Sequence, residues 1–313
     1  MLTRETIHGL YVLTVTPFRS DDFELDEEAL RANLRLLVSL GVDGIITSGT
    51  NGEFHTTTDD ERERIVRILV EETKGKAAAV AGCSGVNTAE SIERMQVARD
   101  AGADAVMNVL PFYHILSKAE AYQYFEDIYA ACPELGIIIY NNPITTQVLL
   151  NDDDLVHIEK VPTVCATKMI GADMGLYLNC LRRTSIRHFP LEQLWGISNA
   201  VGGNGVMASF IYAFPAYMLR WWNVIRGGDL QASLSMQHEI NSLLQNLILP
   251  LIRQEGYNEI SATKAVVDAG GFLRAGPPRK PFRAVPVERI AKLREAIQER
   301  FPQFLEQPAG VTA

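Results

Sequence analysis

Basic residues are in deficit in this chain of 313 residues, with 29 lysines and arginines against 38 acidic side chains and a net charge of -9. Binding to nucleic acid needs a basic field over phosphates, so that class of function is excluded. The densest basic cluster, Arg279-Lys280 with Arg283, sits among prolines near the C-terminus. No run approaches the ~18 apolar residues of a membrane helix, so no membrane partner is expected. Cysteine is scarce. Cys83, Cys132, Cys165 and Cys180 form no Cys-x-x-Cys pair and have no histidines at zinc spacing, which points to a reduced, cytoplasmic setting without a disulfide framework. The opening Met1-Leu2-Thr3-Arg4-Glu5 is no signal peptide, because an acidic residue and then His8-Gly9 interrupt any apolar stretch. The six histidines show no His-x-x-x-His spacing, so neither a metal nor another cofactor is expected. Gly-x-Ser-x-Gly and the phosphate loop are missing as well.

What is present is alternation. Short apolar runs, several rich in β-branched residues, alternate with segments of helical periodicity. The expected strands are Leu10–Thr14, Gly44–Thr47, Ala77–Gly82, Ala105–Leu110, Ile137–Asn141, Val164–Lys168, Ser185–Phe189 and Gly205–Ser209. Helices are expected between them at Asp26–Leu40, Asp59–Thr73, Thr88–Ala101, Lys118–Ala131, Asp152–Glu159, Ala172–Arg182 and Leu191–Ala200. Thr58 before Asp59-Asp60-Glu61 reads as a capping box, and Gly41 and Gly102 stand where C-terminal glycines belong. Regular crossovers of this kind predict an α/β fold, a (β/α)8 TIM barrel. A doubly wound sheet is the alternative, disfavoured because no Gly-x-Gly-x-x-Gly follows the first strand. Beyond Tyr212 the strands stop, and Tyr217–Arg226, Leu230–Gln254, Asn258–Ala269 and Val287–Arg300 read as helices. The expected organisation is a catalytic barrel over residues 1–225 and a C-terminal helical extension over 226–313.

Barrel enzymes carry their chemistry at the C-terminal ends of the strands. Lys168 closes the sixth expected strand. Loss of hydration there disfavours its charged form, and a neutral amine attacks a ketone to form an imine. A rim lysine paired with a carboxylate is the plainer reading of the position alone. Tyr140, at the end of the fifth strand, can exchange protons with a bound intermediate, or serve only as a core aromatic. Gly49-Thr50-Asn51-Gly52 offers backbone N–H groups to a carboxylate, or is merely a tight turn. Tyr113 is weak taken alone. His55 and His114 lie just past strand ends and read as solvated loop residues.

Together, Thr16-Pro17-Phe18, Gly49-Thr50-Asn51-Gly52-Glu53, Pro111-Phe112-Tyr113, Tyr140-Asn141-Asn142-Pro143, Lys168 and Gly202-Gly203-Asn204-Gly205 resemble the dihydrodipicolinate synthase / N-acetylneuraminate lyase family. The C-terminal Ala262-Thr263-Lys264-Ala265 through Arg279-Lys280-Pro281 is similar to that family's tail. The resemblance implies a Schiff-base lyase that acts on pyruvate or another small 2-oxo acid, assembled as a homotetramer of two tight dimers. It implies Lys168 as the imine-forming residue and Tyr140 as its proton-transfer partner. Thr50 would link Tyr140 to Tyr113, which would reach into the neighbouring subunit's site. The substrate carboxylate would lie on the N–H groups of Thr50 and Asn51, with backbone near Met207 lining the site.

Departures from the family pattern bear on the second substrate. Where the lysine-pathway synthases carry an arginine two residues after the proline of the tyrosine segment, this chain has Thr145, and a hydroxyl does not replace a bidentate guanidinium. Phe189-Pro190-Leu191-Glu192 occupies a stretch that often holds Gly-Asp, and Asn51 stands where Thr or Ser is common. The expectation is therefore an aldolase or dehydratase for a hydroxylated 2-oxo acid, with Thr145 among the substrate-binding residues. The lysine-pathway synthase is the alternative. A catalytically silent 2-oxo acid-binding barrel is opposed by the full set of proton-transfer groups, and a phosphosugar barrel by the position of Gly202–Gly205.

Overall fold

The computed structural model describes residues 1–308; the last five residues of the expected helical unit lie outside it. Eight strands form one parallel sheet: β1 (Gly9–Leu13), β2 (Gly44–Thr47), β3 (Ala78–Gly82), β4 (Ala105–Asn108), β5 (Gly136–Asn141), β6 (Val164–Met169), β7 (Arg187–Pro190) and β8 (Gly205–Ala208). Their order is β7-β6-β5-β4-β3-β2-β1-β8, and β7 and β8 lie side by side without ladder hydrogen bonds, so the sheet curls into a nearly closed barrel. The fold is the (β/α)8 TIM barrel that the alternation predicts.

The crossovers are α1 (Glu27–Ser39), α2 (Asp59–Thr73), α3 (Thr88–Ala101), α4 (Lys118–Ala131), a short α5 (Pro143–Thr146), α6 (Asp152–Ile158), α7 (Met174–Arg183) and α8 (Trp195–Ser198). C-terminal helices follow as α9 (Pro215–Gly227), α10 (Leu230–Leu243), α11 (Leu249–Arg253), α12 (Glu259–Gly270) and α13 (Val287–Arg300). None of the described helices is long and apolar enough to cross a membrane.

Local chemistry explains most boundaries. Thr58 and Glu61 form the capping box that starts α2, a device that contributes about 1 kcal/mol. Gly102 ends α3 at a φ of 92°, a region that favours glycine. The helix expected over Leu191–Ala200 is instead two 3-10 turns flanking the four-residue α8. The Gly196 N–H donates to Gln237 Oε1 at 2.6 Å, and Gly196 is itself a poor helix former. The helix expected over Leu230–Gln254 is broken by a π turn at Leu244–Ile248, just ahead of Pro250, which has no N–H to continue the ladder. The short α5 has no counterpart in the expected helices; Asn142 caps it and Pro143 occupies its first turn.

Strand residues sort by parity. Tyr11 and Leu13 of β1 fill the barrel interior while Leu10 and Val12 pack outward against helices. β6 breaks this rule. Its pairing with β5 shifts by one residue between Ile137 and Ile138, and the adjacent Cys165 and Ala166 both belong to the interior cluster. From there Tyr140 and Lys168 stand opposite each other in the ladder. The C-terminal helices share their apolar core with the barrel: Ile240, Val266, Leu293 and Phe304 pack in one cluster with Leu10, Val12 and Ile45.

Candidate active site

Register places the two candidate groups. Because Tyr140 and Lys168 are ladder partners, their side chains rise from the same face, and Lys168 Nζ lies 3.8 Å from the Tyr140 ring centroid. Lys168 is 5% exposed and has no ion pair or hydrogen bond among the described residues. A buried ammonium without a partner is costly, which makes this a poor site for a structural lysine. Thr50 Oγ1 lies 3.4 Å from the Tyr140 hydroxyl, closing a short polar chain from the loop to the tyrosine.

That loop is tightly specified. Ser48 and Glu53, both non-glycine, hold φ values of 52°, a left-handed conformation that side chains resist. A Cβ on Gly52 would stand 2.8 Å from Ser48 N, and one on Gly82 of the adjacent strand 2.1 Å from Ser48 O. The strain is maintained by side-chain anchors. Thr16 Oγ1 donates to Gly52 O at 2.7 Å, and Asn51 Nδ2 donates to the Tyr212 hydroxyl at 3.1 Å. The amides of Thr50 and Asn51 have no acceptor among the described residues, leaving two donors free beside Lys168.

The cavity over Lys168 is lined by Thr14, Gly49, Thr50, Asn51, Gly52, Tyr140, Ile170, Leu191, Ser209 and Glu259, with Leu13 and Ile46 at its floor. It therefore gathers Lys168, Tyr140, Thr50 and Asn51, four of the residues singled out in the sequence. Three others lie outside it. Tyr113 is 80% exposed and makes no hydrogen bond to Thr50 or Tyr140. Thr145 is half-buried, and its Oγ1 accepts from Asn142 Nδ2 at 3.0 Å. Met207 is fully buried in the barrel interior. His55 packs edge-on to Phe54 and Phe282, away from the lining.

Two further lining groups, Ser209 and Glu259, are not among the expected site residues. Ser209 ends the eighth expected strand, where a strand-end search finds it, but Glu259 arrives from α12. Close by, Glu192 is buried and its Oε1 accepts from Phe210 N at 3.1 Å and from Ser209 N. Burial pushes its carboxyl up, opposed by these N–H groups and by the Lys168 charge. A separate hollow of about 180 Å3 lies between α2 and α3, lined by Arg62, Cys83, Glu90 and Arg94. Burial pushes the Cys83 thiol up to about 12, so that hollow offers no nucleophile.

A strand-end lysine laid on a tyrosine, beside free loop amides, is an arrangement in which an amine can add to a ketone. The model of the dihydrodipicolinate synthetase family matches residues 6–300. The chain belongs to this family. It is accordingly a class I, Schiff-base-forming lyase. Among curated relatives, the 4-hydroxy-tetrahydrodipicolinate synthase of Methanopyrus kandleri is 29% identical over 281 residues, covering 88% of this chain and 91% of the relative. A protein of the same name from Nitratidesulfovibrio vulgaris is 30% identical, covering 77% of this chain and 83% of its own length. In fold, the chain matches a dihydrodipicolinate synthase from Aquifex aeolicus with a TM-score of 0.83 at 24% identity, over 96% of this chain and 100% of that one. It matches a sialic acid aldolase from Ruminococcus gnavus with a TM-score of 0.84 at 21% identity, over 95% and 99%.

Proposed function

We propose that this lyase binds a small 2-oxo acid such as pyruvate as an imine on Lys168 and makes or breaks a bond to a hydroxylated carbon chain. The observation that carries the reading is the ladder pairing of Tyr140 with Lys168, with Nζ 3.8 Å from the ring and Thr50 within 3.4 Å of the phenol. Nζ adds to the ketone carbon, and loss of one water gives the imine. The protonated imine draws electrons, so a proton leaves C3 and an enamine forms. In the synthetic direction C3 attacks an aldehyde, whose oxygen takes up a proton, and hydrolysis then returns the free amine. Cleavage is the reverse.

Tyr140 moves the protons at the carbinolamine and the aldehyde oxygen, with Thr50 holding its hydroxyl. The free amides of Thr50 and Asn51 hold the 2-oxo acid's carboxylate. Met207 contributes backbone at the eighth strand, and Thr145 a hydroxyl to the outer part of the substrate. Tyr113, exposed in one chain, suits a role in a neighbouring subunit's site, within a cytoplasmic homotetramer. Residues 1–225 form the catalytic unit and 226–313 the helical unit. No cofactor or metal enters these steps. A second reading follows from the name shared by the curated relatives, condensation of pyruvate with aspartate semialdehyde. The absence of any arginine from the cavity lining disfavours it.

Incubation with pyruvate and borohydride, followed by intact-mass and peptide analysis, is expected to give one reduced adduct, on Lys168. An unmodified protein across pyruvate and larger 2-oxo acids would refute the imine.

A further inference from the structure

Two groups in the cavity lining are charged. One is Lys168, whose nitrogen as the protonated imine sits beside the 2-oxo acid's own carboxylate; the other is Glu259. Glu259 opens α12 with its side chain exposed, and among the described residues its carboxylate has no ion pair and no hydrogen bond. Its backbone is nonetheless held firmly. Ser261 N donates to Asn258 Oδ1 at 2.8 Å, Ile260, Ser261 and Ala262 are buried, and one turn on, Lys264 Nζ donates to Thr16 O at 2.9 Å and Pro277 O at 2.8 Å. A free carboxylate is thus carried on a rigid support to the edge of a cavity whose lining, Lys168 apart, is otherwise neutral.

A carboxylate accepts hydrogen bonds and donates none, so it matches groups that donate. Once the 2-oxo acid's own carboxylate sits on the loop amides beside the imine nitrogen, whatever extends beyond it meets Glu259 and, among the described lining residues, no second cation. A second carboxylate there meets a like charge, whereas a chain of hydroxyls meets an acceptor. We propose that Glu259 is a specificity-determining residue, which selects an uncharged, hydroxylated chain for the second half of the substrate and rejects one that ends in a carboxylate. This rests on the imine reading above and narrows it to a substrate class. It also locates the discrimination on the C-terminal helix, away from Thr145, whose hydroxyl is already engaged by Asn142.

The test compares addition of pyruvate to glyceraldehyde, which is neutral and hydroxylated, with addition to succinic semialdehyde, which ends in a carboxylate. The full-length wild type is expected to favour glyceraldehyde in kcat/KM. Glu259→Gln is expected to shift the ratio toward the semialdehyde by about tenfold, through KM, and Glu259→Arg to shift it further, because removing and then inverting one nearby charge acts in steps. Glu259→Asp, which keeps the charge, is expected to retain the wild-type direction of preference. The ratio is taken within one preparation, so a reduced folded fraction cancels. A ratio unmoved in both Glu259→Gln and Glu259→Arg overturns the assignment, as does a wild type that turns over only the semialdehyde or neither aldehyde. Borohydride trapping of the wild type with pyruvate separates the two levels. Trapping on Lys168 with an unmoved ratio overturns the selectivity alone; no trapping overturns both.

Discussion

Lys168 and Lys264 are both nearly excluded from solvent, at 5% and 2% exposure, yet their surroundings are built in opposite ways. Lys264 is saturated: its ammonium lies 2.6 Å from Glu53 Oε1, donates to two backbone carbonyls, and stands 4.5 Å from the centroid of the Phe18 ring. Burial pushes its ammonium down, and the Glu53 carboxylate beside it opposes that. Lys168 has no carboxylate or carbonyl in hydrogen-bond or ion-pair contact among the described residues, only a tyrosine face, an open cavity and the more distant Glu192. One site supplies every partner that a cation needs and the other withholds them. Burial alone therefore does not mark a reactive lysine; burial without partners does.

Three single variants and one double variant test that contrast. Lys168→Met removes the proposed nucleophile, and turnover is expected to fall to the uncatalysed background while the melting temperature holds or rises, since no hydrogen-bonded partner is orphaned. Residual turnover near the wild-type rate, measured with pyruvate and an aldehyde, would place the chemistry elsewhere. Tyr140→Phe keeps the aromatic face beneath Nζ and removes the proton; a loss of ~10²–10⁴-fold in kcat is expected, with borohydride trapping retained. A loss below about twofold would reduce Tyr140 to packing. Lys264→Met leaves Glu53 buried without its cation, and denaturant titration is expected to show a loss of ~3–5 kcal/mol. Pairing it with Glu53→Gln, which removes the orphaned charge, is expected to recover part of that loss. Equal losses in the single and double variants would show that the ion pair is not what braces the loop.

The two lysine sites also differ in how far they are legible in the sequence. Lys168, Tyr140 and Thr50 are strand-end residues, and all eight strands stand out because barrel strands are covered on both faces and read as short apolar runs. Lys264 and Glu259 belong to a helix whose contacts with the loop after β2 span most of the chain, and no local period encodes such a meeting. Arg279 is the same case. It appears in the sequence only as part of a basic cluster among prolines, while its amide donates to Glu53 Oε2 at 2.9 Å and its Nη1 donates to Glu61 Oε2 at 2.6 Å. The helix expected at Leu191–Ala200 misleads for a related reason, since its backbone and side chains are claimed by Gln237 and by the Ser209 and Phe210 amides.

The one-residue shift between β5 and β6 makes the proposed reaction a matter of odd and even. With strict alternation from Cys165, an interior residue, Thr167 and Met169 would follow it inward and Lys168 would face the outer helices. Apolar content offers little to choose between the two phases of Val164-Cys165-Ala166-Thr167, for these residues are small or β-branched on either side. The barrel could thus be assembled with its hydrophobic tally nearly intact and its amine on the wrong side of the wall. What separates catalyst from inert scaffold is one uncounted residue, a spacing error fixed into the strand and kept in time by its neighbour.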